Sequence, residues 1–447
     1  MAESSRMTRQ MRLGAFFYGV GHHLAAWRHP DVDPAAPSKI ESLKQWAKLA
    51  EDAKFDTVFL ADNVGLPGPP DDALAKNGLP YPLDPLIALA ALSQATSRIG
   101  LVGTVSATYL PPYHLARKFA SLDLVSGGRS GWNLVTSGSD FEARNFGLSG
   151  QVSHASRYQR AREYLQVVKA LWDTWEDDAF IHDKAASRFF DSDKVHRVAH
   201  EGDHFRVQGG LQAPRAPQGW PVLVQAGSSG DGQDLAAATA ELVFTAQQTV
   251  EDARIFYSGL KERLTSNGRQ PDQMHIMPGV SPYVGRSEAE AKEKYEQLQS
   301  LIEPSQGLAL LSTFLGNVDL SRYAVDDPFP LDLPVTEGWQ SRQELFTTLA
   351  RREHLSIRQL YEKVAPGRGH WTVIGTPEQI ADQLEHWFTT GAADGFNVLA
   401  PTLPNGLKDF ADLVIPELQR RGLFRRNYDG KTLREHLGLG RPPHSRS

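Results

Sequence analysis

A chain of 447 residues with a formal net charge of −6 and scattered basic side chains lacks the positive stripe that nucleic-acid or membrane-surface partners leave. The absence of cysteine excludes disulfides, thiolate catalysis and thiolate-held zinc or iron–sulfur centres. No apolar run is long enough to span a bilayer. The polar start, Met1 to Gln10, lacks a secretory core, so the expectation is a cytoplasmic protein with a frayed tail over 1–10.

Short apolar runs then alternate with longer amphipathic segments, the pattern of parallel β/α architecture. Met11 to Tyr18 reads as the first strand. Ser38, with Glu41 three residues on, reads as the N-cap of a helix over Lys39 to Ala53 whose Ile40, Leu43, Trp46, Leu49 and Ala50 share a face. Asp56 to Leu60 is a buried strand, Gly65 to Pro85 a Pro/Gly-rich loop, and Leu86 to Thr96 a helix. The cycle repeats with Ile99 to Ala107 (strand), His114 to Val125 (helix), Ser130 to Thr136 (strand) and Arg157 to Trp175 (long helix). A hairpin is expected around Arg197 to Gln208. Pro221 to Gln225 is the next strand, followed by a Gly/Ser turn and a helix from Gln233 to Ala240. Leu242 to Thr245, Met274 to Pro278 and Gly395 to Ala400 complete the strands. Between Arg286 and His370 the period breaks into helical pieces around a Pro- and Asp-rich stretch, which predicts an insertion over the barrel mouth. The whole reads as an α/β protein, one TIM (β/α)8 barrel over 11–440 with a helical insertion at about 286–370 and a C-terminal tail over 441–447.

In such a barrel the chemistry sits at the C-terminal ends of the strands. Those positions carry Asp62 and Asn63 after the second strand, Ser106 to Thr108 after the third, and Asn133, Thr136, Ser137 and Ser139 from the fourth. The fifth opens onto Gly227-Ser228-Ser229-Gly230, where free N–H groups, serine hydroxyls and a helix N-terminus suit an anion. No Lys-Ser/Thr follows, so this is not a P-loop, and a plain serine-capped turn is the alternative. Asp62 suits either acid/base work or a turn cap. His154 and Tyr158, at i and i+4, face one way; Tyr158 alone would also suit a core. Adjacent His22 and His23 cannot both address one site. The histidines lack the close spacing of a metal-dependent hydrolase, and no metal ligands are assigned.

The stretch Ser126-Gly127-Gly128-Arg129-Ser130-Gly131-Trp132-Asn133-Leu134-Val135-Thr136-Ser137 resembles the signature of the nitrilotriacetate/dibenzothiophene-sulfone branch of the luciferase-like flavin-dependent monooxygenases. Thr104-Val105-Ser106-Ala107-Thr108-Tyr109, Glu142-Ala143-Arg144-Asn145-Phe146-Gly147, Val224-Gln225-Ala226-Gly227-Ser228 and Leu433-Arg434-Glu435-His436-Leu437 are similar to the same branch, and the likeness runs over roughly 11 to 440. It implies the oxygenase component of a two-component system: reduced FMN arrives from a separate NAD(P)H-dependent flavin reductase, O2 is the co-substrate, and a peroxyflavin oxygenates a small organic molecule. Sulfones, aminopolycarboxylates, thioethers and halogenated aromatics are the substrate classes of that branch, and a homodimer or homotetramer is the assembly it implies.

Carried over by position, the resemblance places the FMN phosphate against Ser228 and Ser229 beside Gly227, under His154 and Tyr158. Asp62 and Asn133 would lie near the isoalloxazine edge, with Ser106, and with Thr104, Thr136 and Ser137 as further contacts. The Ser106–Ala107 peptide is a candidate cis bond. Asn133 and His22 are the candidate catalytic residues, His22 giving a proton or hydrogen bond to bound peroxide. Phe17, Tyr18, His22, Phe244 and Trp371 are candidate substrate walls, Arg28 and Arg144 candidate carboxylate readers, and the insertion with the 65–85 loop a candidate cover. A deazaflavin-dependent oxidoreductase, a metal-dependent barrel hydrolase and a non-catalytic flavin-binding subunit are the alternatives.

Overall fold

Every expected strand forms, and eight of them close into a parallel barrel in the computed structural model, which describes residues 9–66, 72–78, 80–336 and 340–445. The strands are β1 (Arg12–Phe17), β2 (Thr57–Leu60), β3 (Gly100–Ser106), β4 (Ser130–Val135), β5 (Val222–Gln225), β6 (Leu242–Thr245), β7 (His275–Val284) and β8 (Gly395–Val398). They pair in chain order all the way around the ring, β8 closing it between β7 and β1. Helices α1 (Ile40–Asp52), α2 (Pro85–Ala95), α3 (Pro112–Ser126), α4 (His154–Trp172), α5 (Gly230–Thr239), α6 (Val250–Ser266) and α7 (Pro377–Thr389) cover it outside. A final composite helix, Asn405–Asp409 continuing through a π turn at Phe410–Val414 to Ile415–Arg420, completes the layer.

Strand alternation sorts the side chains into two cores. Phe16, Phe59, Val102, Val222, Val224, Leu242, Phe244 and Met277 fill the barrel, joined by Leu433, Leu437 and Leu439 from the C-terminal segment. Their alternate neighbours, such as Leu13, Ala15, Val58, Leu60 and Leu101, pack outward on the helices.

The N-terminal rim carries a repeated device. Asp56, Glu241 and Asp394 each stand immediately before a strand, and each accepts the backbone N–H at the start of a neighbouring strand: Leu13 (2.7 Å), Leu223 (3.0 Å) and Ile276 (2.9 Å). Each carboxylate also meets a cation, Asp56 with Arg425, Glu241 with Arg434, and Asp394 with Lys261 and Arg9.

Several expectations need correction. Ser38 does not cap α1: it ends a 3-10 turn begun by Ala36-Pro37, and the cap position falls to Lys39, whose side chain makes no cap bond. Helix α4 begins at His154, three residues earlier than expected, because Ser153 caps it through Ser156 N–H. The hairpin near 197–208 forms as Val198–Glu201 with Arg206–Gly209, but a second, Phe180–Asp183 with Arg188–Phe190, was not expected. A ninth strand, Trp371–Gly375, pairs with the far half of β7 from Val280 to Val284. The 286–370 region holds helices Glu288–Gln299, Pro304–Phe314, Gln340–Glu353 and Ile357–Val364 around their own apolar cluster. Residues 1–8 of the expected tail, 67–71 and 79 of the 65–85 loop, 337–339 of the insertion and 446–447 lie outside the described residues. The C-terminal segment is held: Ser445 N–H donates to Asp173, and Arg441 pairs with Asp177.

Asp56 is fully buried and Arg425 nearly so. Arg425→Met leaves a buried carboxylate without its cation and is expected to cost about 3–5 kcal/mol, read from the urea midpoint. The double variant Asp56→Asn, Arg425→Met removes the stranded charge and should recover a large part of that loss. Equal losses in the two proteins would show that the pair does not act as a unit.

Candidate functional site

A cleft open to solvent, with room of about 180 Å³, lies at the C-terminal rim over β2, β4 and β5. It is lined by Asp62, Thr136, Ser137, His154, Tyr158, Gly227, Ser228 and Ser229 together with Asn63, Glu142, Arg157 and Gln225, and roofed by Gln340 and Ser341.

At one end, Ser229 caps α5 by accepting from Gly232 N–H (3.2 Å). Ser228 Oγ lies 3.2 Å from Thr245 Oγ1, and Gln233 donates to the Ser228 carbonyl (2.9 Å), so the turn is fixed from both sides. His154 Nδ1 meets Asp231 Oδ2 at 3.1 Å, and its ring lies 4.7 Å from that of Tyr158. A Cβ on Gly232 would come within 3.1 Å of both Ser229 Oγ and Tyr158 Oη, so glycine leaves the space where hydroxyls converge. The result is a set of donors beside a helix N-terminus, the arrangement that receives a phosphate.

The adjoining strands β3 and β4 are polar and tightly bonded. Thr104 and Asn133 face each other in the β3–β4 register, Asn133 Nδ2 donating to Thr104 Oγ1 at 2.9 Å. Asn133 Oδ1 and Asn63 Oδ1 are both buried and have no hydrogen-bond partner among the described residues. Such acceptors are costly to leave unmade, so they fit a ligand edge that donates. Ser137 donates to Ser106 Oγ (2.9 Å) and is held in the left-handed region at φ +54. Such strain gathers at functional sites.

The Ser106–Ala107 peptide is not cis; among the described residues the cis bond is Leu403–Pro404. Ala107 N–H donates to Val135 O (2.9 Å), continuing the β3–β4 ladder, and that ladder fixes the extended course. Asp62 sits at the mouth, accepting from Asn63 N–H (2.8 Å). Burial pushes its carboxyl up to about 6, with Asp84 and Glu142 adding repulsion.

Of the other candidates, Tyr18, His22 and Phe244 converge beside the cleft: His22 lies 4.6 Å from Phe16 and 5.1 Å from Tyr18, and Phe244 lies 5.7 Å from Phe16. His22 is 2 % exposed, and burial, with Arg368 and Arg342 adding repulsion, holds its imidazolium form well below the usual histidine range. His23 points elsewhere, to Gln299 and Ala25 N–H. Phe17 and Trp371 are not in this chamber. Alternation turns Phe17 outward onto Trp46, and Trp371 stacks on Trp387 of α7 at 4.4 Å. Arg28 pairs with Glu303 and Arg144 is exposed.

Sequence reading missed Glu142, Arg157 and Gln225 in the lining, and the roof residues Gln340 and Ser341. It also missed two cations beside His22, Arg342 and Arg368. A usable signal was present for the last: Pro366-Gly367-Arg368-Gly369-His370 is a turn that exposes one arginine between glycines. Among the described residues no group of three or more His, Cys, Asp or Glu is arranged to hold a metal ion.

The model of the family described as luciferase-like monooxygenase matches residues 21–394. N-acetyl-S-(2-succino)cysteine monooxygenase of Bacillus subtilis (strain 168) is 47 % identical, the match covering 97 % of this chain and 98 % of that one. Nitrilotriacetate monooxygenase component A of Aminobacter aminovorans is 49 % identical over 98 % of each chain. Among solved structures, riboflavin lyase with modified FMN and substrate riboflavin superposes with a TM-score of 0.87 at 33 % identity, covering 96 % of both chains.

The position of Asp62 has a thermodynamic consequence. Its folded value of about 6 lies above the ordinary carboxylate value of 3.8, so folding favours the protonated form. The penalty is absent below about pH 4, grows as pH rises through 6 and is complete above it. Asp62→Asn is therefore expected to stabilise the fold by about 1–2 kcal/mol at pH 8 and not at pH 4, measured by urea unfolding at both values. A gain of the same size at both would remove burial of the charge as its cause.

Proposed function

The chain belongs to the luciferase-like monooxygenase family, and from that premise we propose that it is the oxygenase component of a two-component system, using reduced FMN delivered by a separate NAD(P)H-dependent flavin reductase. Family membership displaces the hydrolase alternative. The observation that carries the flavin reading is the cleft that joins a phosphate-type end at Ser228 and Ser229 to Asn63, whose buried amide oxygen has no hydrogen-bond partner among the described residues.

The residues present fit such a cofactor. Ser228, Ser229, Tyr158 and His154 would hold its phosphate, with Asp231 orienting the His154 ring through Nδ1. Asn133, Asn63, Ser106 and Ser137 would meet the ring system's polar edge, Thr104 fixing the rotamer of Asn133. Reduced flavin, when bound, supplies the two electrons that let O2 give one atom to the substrate and the other to water. The chain's part is placement and shelter. Gln340 and Ser341 of the insertion narrow the access of water from above. Asp62 can change protonation near pH 6 at the mouth. Burial, with Arg368 and Arg342 adding repulsion, disfavours the His22 imidazolium, which favours a hydrogen-bonding role over proton donation.

Wild-type protein is expected to bind FMN at least about tenfold more tightly than riboflavin, which lacks the phosphate, and Ser228→Ala with Ser229→Ala should erase that difference. Anaerobic titration followed by mixing with oxygenated buffer tests the rest: flavin held in the cleft should reoxidise more slowly than free reduced FMN. Reoxidation at the free rate, with no preference for FMN, would end the flavin reading. Separately, His22→Gln should leave FMN affinity unchanged while more of the oxygen consumed appears as hydrogen peroxide; unchanged coupling would remove His22 from the reaction.

A further inference from the structure

Phe17, which alternation turns away from the barrel interior, lines a small cavity of its own. The space has room of about 40 Å³ and lies between the ends of β1 and β2, helices α1 and α2, and the 80–83 segment. Its inner walls, Phe17, Trp46, Leu60 and Ala88, are all buried. Among the described lining residues, the polar side-chain atoms are the indole N–H of Trp46 and the hydroxyl of Tyr81 alone. A buried water takes about three polar partners, and an apolar cavity without them stays dry and accepts apolar guests such as xenon.

A second space, with room of about 130 Å³, adjoins this cavity on the side towards solvent. The two share Gly19, Pro37 and Pro80, and Gly19 N–H donates to the Pro80 carbonyl (3.1 Å) at the junction. Pro34, Ala75 and Gly78 stand exposed at the outer mouth. The wider space carries His23, Asn77 and Arg368, so polarity falls along the path inward. At the inner end, Ala61 lines the small cavity and its neighbour Asp62 lines the flavin cleft, which makes the end of β2 the partition between them. Tyr81 stands at the same partition, within electrostatic reach of Asp62. A charged or strongly hydrated solute loses its water on this route with little to replace it, whereas a nonpolar diatomic loses nothing.

We propose that the two spaces form a passage for dioxygen, with the inner cavity as an apolar holding site beside the flavin cleft. The oxygen role rests on the flavin reading of that cleft; occupancy of the cavity by an apolar gas does not. Xenon is the probe for occupancy. In crystals of the flavin-free protein held under xenon pressure, the gas should appear beside Phe17, Leu60 and Ala88. Ala88→Val should displace it by filling the space, and Ala61→Val, on a different element, should do the same from the partition side. Stopped flow at varied oxygen concentration tests the passage. In Ala88→Val and in Ala61→Val the second-order constant for reaction of bound reduced FMN with O2 should fall several-fold, with FMN affinity unchanged. Leu83→Ala, which widens the cavity, should not lower that constant. Absence of xenon from the wild-type cavity would overturn the holding site. Unchanged oxygen constants in the two filled variants, with xenon displaced, would overturn the passage. Xenon in the cavity of a protein that takes up no FMN would keep the gas site and overturn the oxygen role together with the flavin reading.

Discussion

Three carboxylates set the register of the barrel. Asp56, Glu241 and Asp394 stand one residue ahead of β2, β6 and β8, and each reaches sideways to the first N–H groups of an adjacent strand. A strand displaced by one residue would present its other face to the interior, so these bonds decide which side chains point inward. Every position at the opposite rim inherits that decision. Asn133 opposes Thr104, and Ser106 meets Ser137, only because β3 and β4 keep this register along their length. The carboxylates in turn pair with Arg425, Arg434 and Lys261, which come from the C-terminal segment and from α6. The last part of the chain thus plugs the barrel with Leu433 and Leu437 and neutralises its floor.

The opposite rim divides its electrostatics. Asp62 and Glu142 place acidic groups on the barrel side of the cleft, and Ser228 and Ser229 add neutral donors at a helix N-terminus. Arg157 adds a cation to the same lining, and Arg342 and Arg368 stand by His22. Burial, and then the two guanidinium groups, disfavour the imidazolium form of His22.

Much of this was legible in the chain. Apolar runs of strand length with polar residues at their ends gave all eight barrel strands, and the polar ends gave most of the cleft lining. The errors have local physical causes. A ninth strand was hidden because Trp371–Gly375 reads as one more short run, and because β7 continues past Pro278 to Val284, where sequence reading stopped it. Phe17 and Trp371 were assigned to the pocket by residue type, yet alternation and a stacking partner turn them outward. The Ser106–Ala107 bond was carried over by resemblance and could not be tested against the ladder that contradicts it. Arg342 was unreadable for a different reason. A lone arginine near the start of a helix looks like any solvated one, and only the fold shows that it has no carboxylate partner among the described residues. The three rim acids were visible as Asp-Thr-Val-Phe-Leu, Glu-Leu-Val-Phe-Thr and Asp-Gly-Phe-Asn-Val, but their common role emerges only when the strands are neighbours.

The extended half of β7 also bears on how such a chain can diversify. The chain leaves β7 at Val284 and returns as Trp371–Gly375 along the same stretch, so the two ends of the intervening segment meet on one strand. A segment with neighbouring ends can change length or sequence at little cost to the framework beneath it, since closing a longer loop adds only slowly to the entropy. Gln340 and Ser341, which line the cleft, lie within it, whereas Ser228, Asn133 and the rim acids do not. The barrel framework and part of the wall over its cleft are thereby encoded in separable stretches of the chain.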